Sequence, residues 1–269
     1  MTTSTLESLL EIMARLRDPE HGCPWDLQQD FHTIVPYTIE EAYELVDAID
    51  AKDFEQIREE LGDVLFQVVF YAQLATEQGV FNFQDVVTGI ATKLIRRHPH
   101  VFAEPGSSPI GHRPTSAQVK DNWERAKQAE REQKMRNAIL DDVPRALPSL
   151  SRAQKLQKRA ARVGFDWPDA DGIWGKIDEE LSELREAIAS DSQKEIEAEL
   201  GDVFIAVVNL ARHLGVDAET AVRGANARFE RRFRLMEQGA RDDGTALQNE
   251  TIEQLEKRWQ IAKARLAAD

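Results

Sequence analysis

Apolar positions return every three or four residues along most of the chain, the spacing of one buried helical face. Leu9, Leu10, Met13 and Leu16 form the first such face, and Asp18-Pro19 ends it. Pro36 then precedes a helix expected to be capped by Thr38, with Glu41 three residues on, and to run to about Ala51. Asp53 caps the next, whose stripe of Leu61, Val64, Leu65, Val68 and Ala72 carries it to about Gln78. A third helix is expected over Phe83 to Arg97, and a charged one with Trp123 over Ser116 to about Lys134. Between these two lies the turn-rich stretch EPGSSPIGHRP, residues 104–114.

Asp141-Asp142-Val143-Pro144, with Pro148 after it, interrupts the helical pattern. That break predicts two domains, residues 1–140 and 141–269. In the second, helices are expected at about Leu150 to Arg162, Gly172 to Ser190, Gln193 to Leu214, after the cap Asp217, and from about Thr251 to the end. No alternation of period two bounded by turns occurs, so the fold class is all-α, built on four-helix bundles. Gly62 and Gly201 fall inside helices, where glycine costs about 1 kcal/mol relative to alanine. The expected return is close approach of another helix or of a ligand.

The two halves repeat in their chemistry. Glu180 and Glu183, then Glu199 and Asp202, are carboxylate pairs of spacing i, i+3, each pair on one helical face. Glu41, Glu44, Glu60 and Asp63 precede them at a constant offset of 139 residues, so 41 + 139 = 180 and 63 + 139 = 202. Two charges about 4 Å apart interact with about 4 kcal/mol at an effective dielectric near 20, so each converging set calls for a cation. Oxygen-only ligands favour Mg²⁺, with Mn²⁺ as a substitute. A helical di-iron site is disfavoured because no Glu-x-x-His is present.

Mg²⁺ keeps water ligands and commonly binds phosphates, which points to a phosphorylated substrate. Lys176 lies one turn before Glu180, and Arg228, Arg231 and Arg232 crowd a helix able to close over the site and neutralise phosphate oxygens. Trp167 and Trp259 are candidates to stack a base, alongside core or interface roles. His98, His100 and His213 sit at helix ends, where packing and dipole complementarity fit better than catalysis.

The formal charge is −14, from 48 acidic against 34 basic residues, which argues against general nucleic-acid binding. Cys23 is the single cysteine, so no intrachain disulfide forms and a reducing compartment is the simplest fit. The first 20 residues lack the layout of a signal peptide, and no apolar run approaches the about 18 residues of a membrane span. A cytoplasmic enzyme is expected.

The pattern Glu179-Glu180-x-x-Glu183 followed by Glu199-x-x-Asp202 resembles the MazG nucleoside triphosphate pyrophosphohydrolases. GCPWD at 22–26, RRHPHVF at 96–102, VGFDW at 163–167 and NLARHLG at 209–215 extend the likeness over nearly the whole chain. The resemblance implies a Mg²⁺-dependent homodimer that hydrolyses nucleoside triphosphates to the monophosphate and pyrophosphate with broad base tolerance. It implies metal ligands at Glu180, Glu183, Glu199 and Asp202. Nucleotide contacts are implied at Lys176, Ile177, Asp178, Glu179 and Glu180, at Arg228, Phe229, Glu230, Arg231 and Arg232, and at Trp259. Glu179 or Glu183 would orient or deprotonate the attacking water. Tyr37 stands where the offset puts Lys176, so the C-terminal site is expected to be the main catalyst. A narrower dNTP or modified-nucleotide pyrophosphatase, and a non-catalytic acidic helical scaffold, are the competing readings.

Overall fold

In the computed structural model, residues 5–102 and 138–268 are described, together with 115, 116, 118, 119, 122, 123 and 126 between them. The chain divides into two compact units, Met1–Ala129 and Glu130–Asp269. Among the described residues all regular structure is helical. The expected loop at 104–114 and most of the expected helix at 116–134 lie outside the described residues.

The first unit holds α1 (Leu6–Leu16), α2 (Pro24–Leu27), α3 (Val35–Ala51), α4 (Phe54–Glu77), α5 (Phe83–Arg97) and α6 (Pro99–Phe102). Its axis is the hairpin of α3 and α4, with α1 and α5 against α4. Met13, Ile34, Val69, Phe70 and Leu74 form its core. Phe70 is fully buried, which contributes about 1.5–3 kcal/mol.

Arg17, just past α1, ties this core to the loop beside it. It donates Nε to Glu77 Oε1 at 2.8 Å and Nη2 to Oε2 at 2.7 Å, and Nη1 to the carbonyls of Asp26 and Gln29. The guanidinium lies near the face of Phe70 at 5.3 Å. Its hydrogen bonds hold the Glu77 carboxyl below the ordinary range, against the opposing effect of burial.

One predicted boundary moves. α3 begins at Val35, not after Thr38, because Pro36 sits in its first turn, where a fixed φ suits a helix start and the missing N–H is no loss. Thr38 is therefore inside the helix, donating Oγ1 back to the Ile34 carbonyl at 3.1 Å and meeting the Tyr71 hydroxyl at 3.0 Å. Asp53 is a cap as expected, accepting from the Glu55 and Gln56 amides at 3.1 Å.

The second unit holds α7 (Ser149–Ala161), α8 (Ala170–Ser190), α9 (Gln193–His213), α10 (Ala218–Asp242) and α11 (Ile252–Ala268). α8 and α9 form its hairpin, as α3 and α4 do in the first unit. Ile173, Ile177, Ala206 and Leu210 pack between them, while Ala153, Val208 and Ala218 join α7, α9 and α10. The repeat extends to the backbone. Lys52 closes α3 in the left-handed region at φ 58°, and Asp191, 139 residues later, closes α8 there at φ 56°.

Gly62 and Gly201 do not have the neighbouring helix expected of them. A Cβ at either would meet nothing within 4 Å. Close approaches occur instead at Gly22, where a Cβ would lie 2.5 Å from the carbonyl oxygens of Leu16 and Asp18, and at Gly172, where it would lie 2.9 Å from the Trp167 ring.

Candidate functional site

The hairpin of α8 and α9 decides where the acidic residues go. Glu180 lies on the face of α8 that also buries Ile173 and Ile177, so its carboxylate is drawn into the cleft and is almost wholly buried. Glu199 and Asp202 face it from α9. One carboxylate oxygen from each of Glu180, Glu199 and Asp202 lies within 4.8 Å of the others. Glu183 lies outside that grouping. Lost hydration and, after it, the charge of Glu180 raise its carboxyl above the ordinary range.

The α3–α4 hairpin repeats the arrangement with Glu41, Glu60 and Asp63, again within 4.8 Å, and again Glu44 lies outside the trio. Burial first, then the charges of Asp63, Glu44, Glu60 and Glu40, raise the Glu41 carboxyl. The charges of those described residues are all acidic.

The two sites differ in their cation. Lys176 Nζ lies 2.7 Å from Glu180 Oε1 and 3.1 Å from Glu179 Oε1, and these contacts, the one to Glu180 foremost, raise the ammonium's proton affinity. At the corresponding position in the first unit Tyr37 makes an edge contact with Trp25, ring centres 5.8 Å apart. The first trio is thus an acidic cluster facing other acids, and the second is already partly neutralised.

A cavity of about 550 Å³ opens beside the second trio. Lys176, Glu180 and Asp202 line it, and so do Gln157 from α7, the loop Gly164 to Trp167, and Ile205, Ala206, Asn209 and Arg212 from α9. The α9 positions 202, 205, 206, 209 and 212 form one stripe, about 15 Å long at 1.5 Å per residue. At its far part Arg212 donates to Asp166 Oδ1 and, through Nε at 3.0 Å and Nη2 at 2.8 Å, to Asn209 Oδ1. His213 Nε2 lies 2.9 Å from the same Asp166 oxygen. Burial opposes ionisation of Asp166, but the bonds from Arg212 and His213 outweigh it and hold the carboxyl below the usual range.

Gln157, Asp166, Asn209 and Arg212 were not among the site residues expected from sequence. Asp166, Asn209 and Arg212 do fall within VGFDW and NLARHLG, two of the motifs that carry the family resemblance, and that was the available signal. Gln157 carries no such mark.

The basic segment on α10 is placed elsewhere in the chain. The Arg232 guanidinium lies 5.4 Å from the Trp259 ring centre, and Phe229 meets the same ring at 5.2 Å. Phe229 and Trp259 line a second cavity, of about 580 Å³, between α10 and α11 with Phe233 and Met236. Of the two tryptophans expected to stack a base, Trp167 lines the carboxylate cavity and Trp259 this other one.

Comparison with known proteins converges on the same two hairpins. The family model described as the MazG nucleotide pyrophosphohydrolase domain matches residues 29–102 and again 173–234. The chain is 50% identical over 262 residues to the nucleoside triphosphate pyrophosphohydrolase of Escherichia coli K12, covering 96% of this chain and 97% of that one. It is 44% identical over 258 residues to the nucleoside triphosphate pyrophosphohydrolase/pyrophosphatase MazG of Thermotoga maritima, covering 96% and 95%. It is 42% identical over 253 residues to the uncharacterized protein YabN of Bacillus subtilis, of which it spans 50%. With both acidic hairpins matched and the likeness running nearly end to end, the chain belongs to the MazG nucleotide pyrophosphohydrolase family.

Proposed function

We propose that the α8–α9 site hydrolyses nucleoside triphosphates, ribo and deoxy, to the nucleoside monophosphate and pyrophosphate in a Mg²⁺-dependent reaction. The observation that carries this reading is one cavity lined by Glu180 and Asp202, from a three-carboxylate cluster, and by the ammonium of Lys176. The donor set fits a hard divalent ion, since every ligand atom is a carboxylate oxygen and the burial of Glu180 makes an uncompensated charge costly. Glu180, Glu199 and Asp202 would hold the ion. Glu183, one turn along α8, would complete the set or take a proton from water, a role its raised proton affinity suits. When bound, Mg²⁺ supplies charge stabilisation to phosphate oxygens and acidifies ligated water.

The chain's own groups do the rest. Lys176 lies against Glu180 of the trio and would meet the charge on the bridging and leaving phosphates. The implied contacts along Lys176, Ile177, Asp178, Glu179 and Glu180 run through α8, where Ile177 is core, Glu180 belongs to the trio and Lys176 bonds both Glu180 and Glu179. Arg228, Phe229, Glu230, Arg231, Arg232 and Trp259 are proposed as a further nucleotide-contacting group. A homodimer is proposed because α9 and α10 leave Phe204, Val207, Phe229 and Phe233 exposed. No helix among the described residues is long and apolar enough to cross a membrane, and a cytoplasmic location fits a nucleotide substrate.

The test is product analysis with several triphosphates. Equimolar monophosphate and pyrophosphate, lost on chelation and restored by Mg²⁺, is the expected result. Release of orthophosphate, or no turnover of any triphosphate, would reject the assignment.

A further inference from the structure

Lys176 sits against two adjacent glutamates that have different surroundings. Its ammonium lies 2.7 Å from Glu180 Oε1 and 3.1 Å from Glu179 Oε1. The Glu180 side chain is 7% exposed, closed into the cleft as a member of the trio, whereas that of Glu179 is 55% exposed and stands outside the trio. In the first hairpin Glu40 and Glu41 stand at the corresponding positions, but Tyr37 replaces the lysine. The two-sided contact is thus a feature of the second hairpin.

An ammonium on Glu180 stands in the way of the ion that the trio would hold. A divalent ion shared by the three carboxylates and an ammonium bonded to one of them are close like charges, and burial leaves them little screened by water or salt. Lys176 then has to leave Glu180. Glu179 is the acceptor already in reach, because residues three and four places on lie side by side along a helix. The lysine head is carried on a flexible stem, so it passes from one carboxylate to the other by side-chain torsions alone, with α8 unmoved. Glu179 is also solvated, so an ammonium held there leaves no buried charge unpaired.

We propose that Glu179 is a positioning residue: it takes Lys176 over from Glu180 when the trio receives a divalent ion, and keeps the ammonium at the cavity for the phosphates. This rests on the pyrophosphohydrolase reading and deepens it, by giving the two adjacent glutamates separate tasks, Glu180 with the ion and Glu179 with the lysine. The contact to Glu180 offsets part of the trio's negative charge in the metal-free state, and the contact to Glu179 serves the loaded one.

The test titrates Mg²⁺ by calorimetry into the nucleotide-free full chain, with Glu41→Gln present throughout so that the second trio is the one read. Glu179→Gln is expected to weaken Mg²⁺ binding about two- to fivefold while Lys176 is present, the worth of one exposed ion pair, and to leave it unchanged beside Lys176→Met. Equal weakening in both backgrounds would mean that Glu179 acts on the ion directly, and no weakening in either that Lys176 needs no second carboxylate; each result overturns the proposal. In saturating Mg²⁺, Glu179→Gln should raise KM for a triphosphate about two- to fivefold and keep kcat. A loss confined to kcat would make Glu179 a proton acceptor instead and overturns it as well. A crystal structure with Mg²⁺ in the trio is expected to show Lys176 Nζ on Glu179 and off Glu180; the 2.7 Å contact to Glu180 retained beside the ion sinks the idea without any variant. No Mg²⁺ binding by the chain carrying Glu41→Gln alone would be failure of the underlying reading, and this proposal falls with it.

Discussion

Lys176 makes the difference between two otherwise matching acidic clusters. Its ammonium sits against Glu180 and Glu179 at 2.7 and 3.1 Å, so it partly neutralises the second trio from within, where the first has Tyr37. A cation so placed both competes with a divalent ion for the carboxylates and offers charge to a phosphate. Lys176→Ala is therefore expected to split these effects. The apparent Mg²⁺ affinity should hold or rise, while KM for the triphosphate rises about 10- to 100-fold, the loss of one charge-assisted contact. Metal titration followed by steady-state kinetics in saturating Mg²⁺ checks both; a fall in metal affinity of similar size would show that Lys176 positions the ligands instead.

At the scale of elements, the helices read well from periodicity and capping. Asp53 and Asp217 cap where expected, and α5 runs over the predicted Phe83 to Arg97. Thr38 did not cap, since its hydroxyl competes with Pro36 for the helix start and Pro36, with φ already set, prevails. The interior glycines are the other lesson. Gly62 and Gly201 have open space where a Cβ would be, so their cost to helix stability has no packing return among the described residues. Gly62→Ala should then raise the unfolding free energy of the first unit by about 1 kcal/mol, measured by urea denaturation. A drop in stability would mean that another surface comes against α4 at that point.

For the molecule as a whole, the repeat extends from carboxylate register to the left-handed residues Lys52 and Asp191 that close the matching helices. Two copies of one hairpin have thus been given different electrostatics. Glu180→Gln should abolish most pyrophosphate release, while Glu41→Gln should leave most of it. The same Glu41 change should also stabilise the metal-free protein near neutral pH, because it removes a carboxylate whose proton affinity is already raised, by burial first and by its acidic neighbours after it. Equal losses of activity in the two variants would show that both hairpins share the catalysis. Saturating Mg²⁺ should remove the stabilising effect of Glu41→Gln, as a bound cation would otherwise supply the missing charge.

Helical class, the tandem hairpins and the acidic registers were all legible in the order of residues, because i, i+3 spacing and apolar periodicity are local properties of a helix. So was the asymmetry between Tyr37 and Lys176, which needs only an offset. What surrounds the second trio could not be read that way. The cavity wall gathers Gln157, Asp166, Asn209 and Arg212 from α7, a loop and α9, and only packing brings such distant segments together. Likewise, Arg232 and Trp259 share a helical hairpin with each other and line no part of the carboxylate cavity, a matter of which faces α10 and α11 turn to their neighbours. Sequence determines which groups each helix offers; tertiary contacts decide which of them meet.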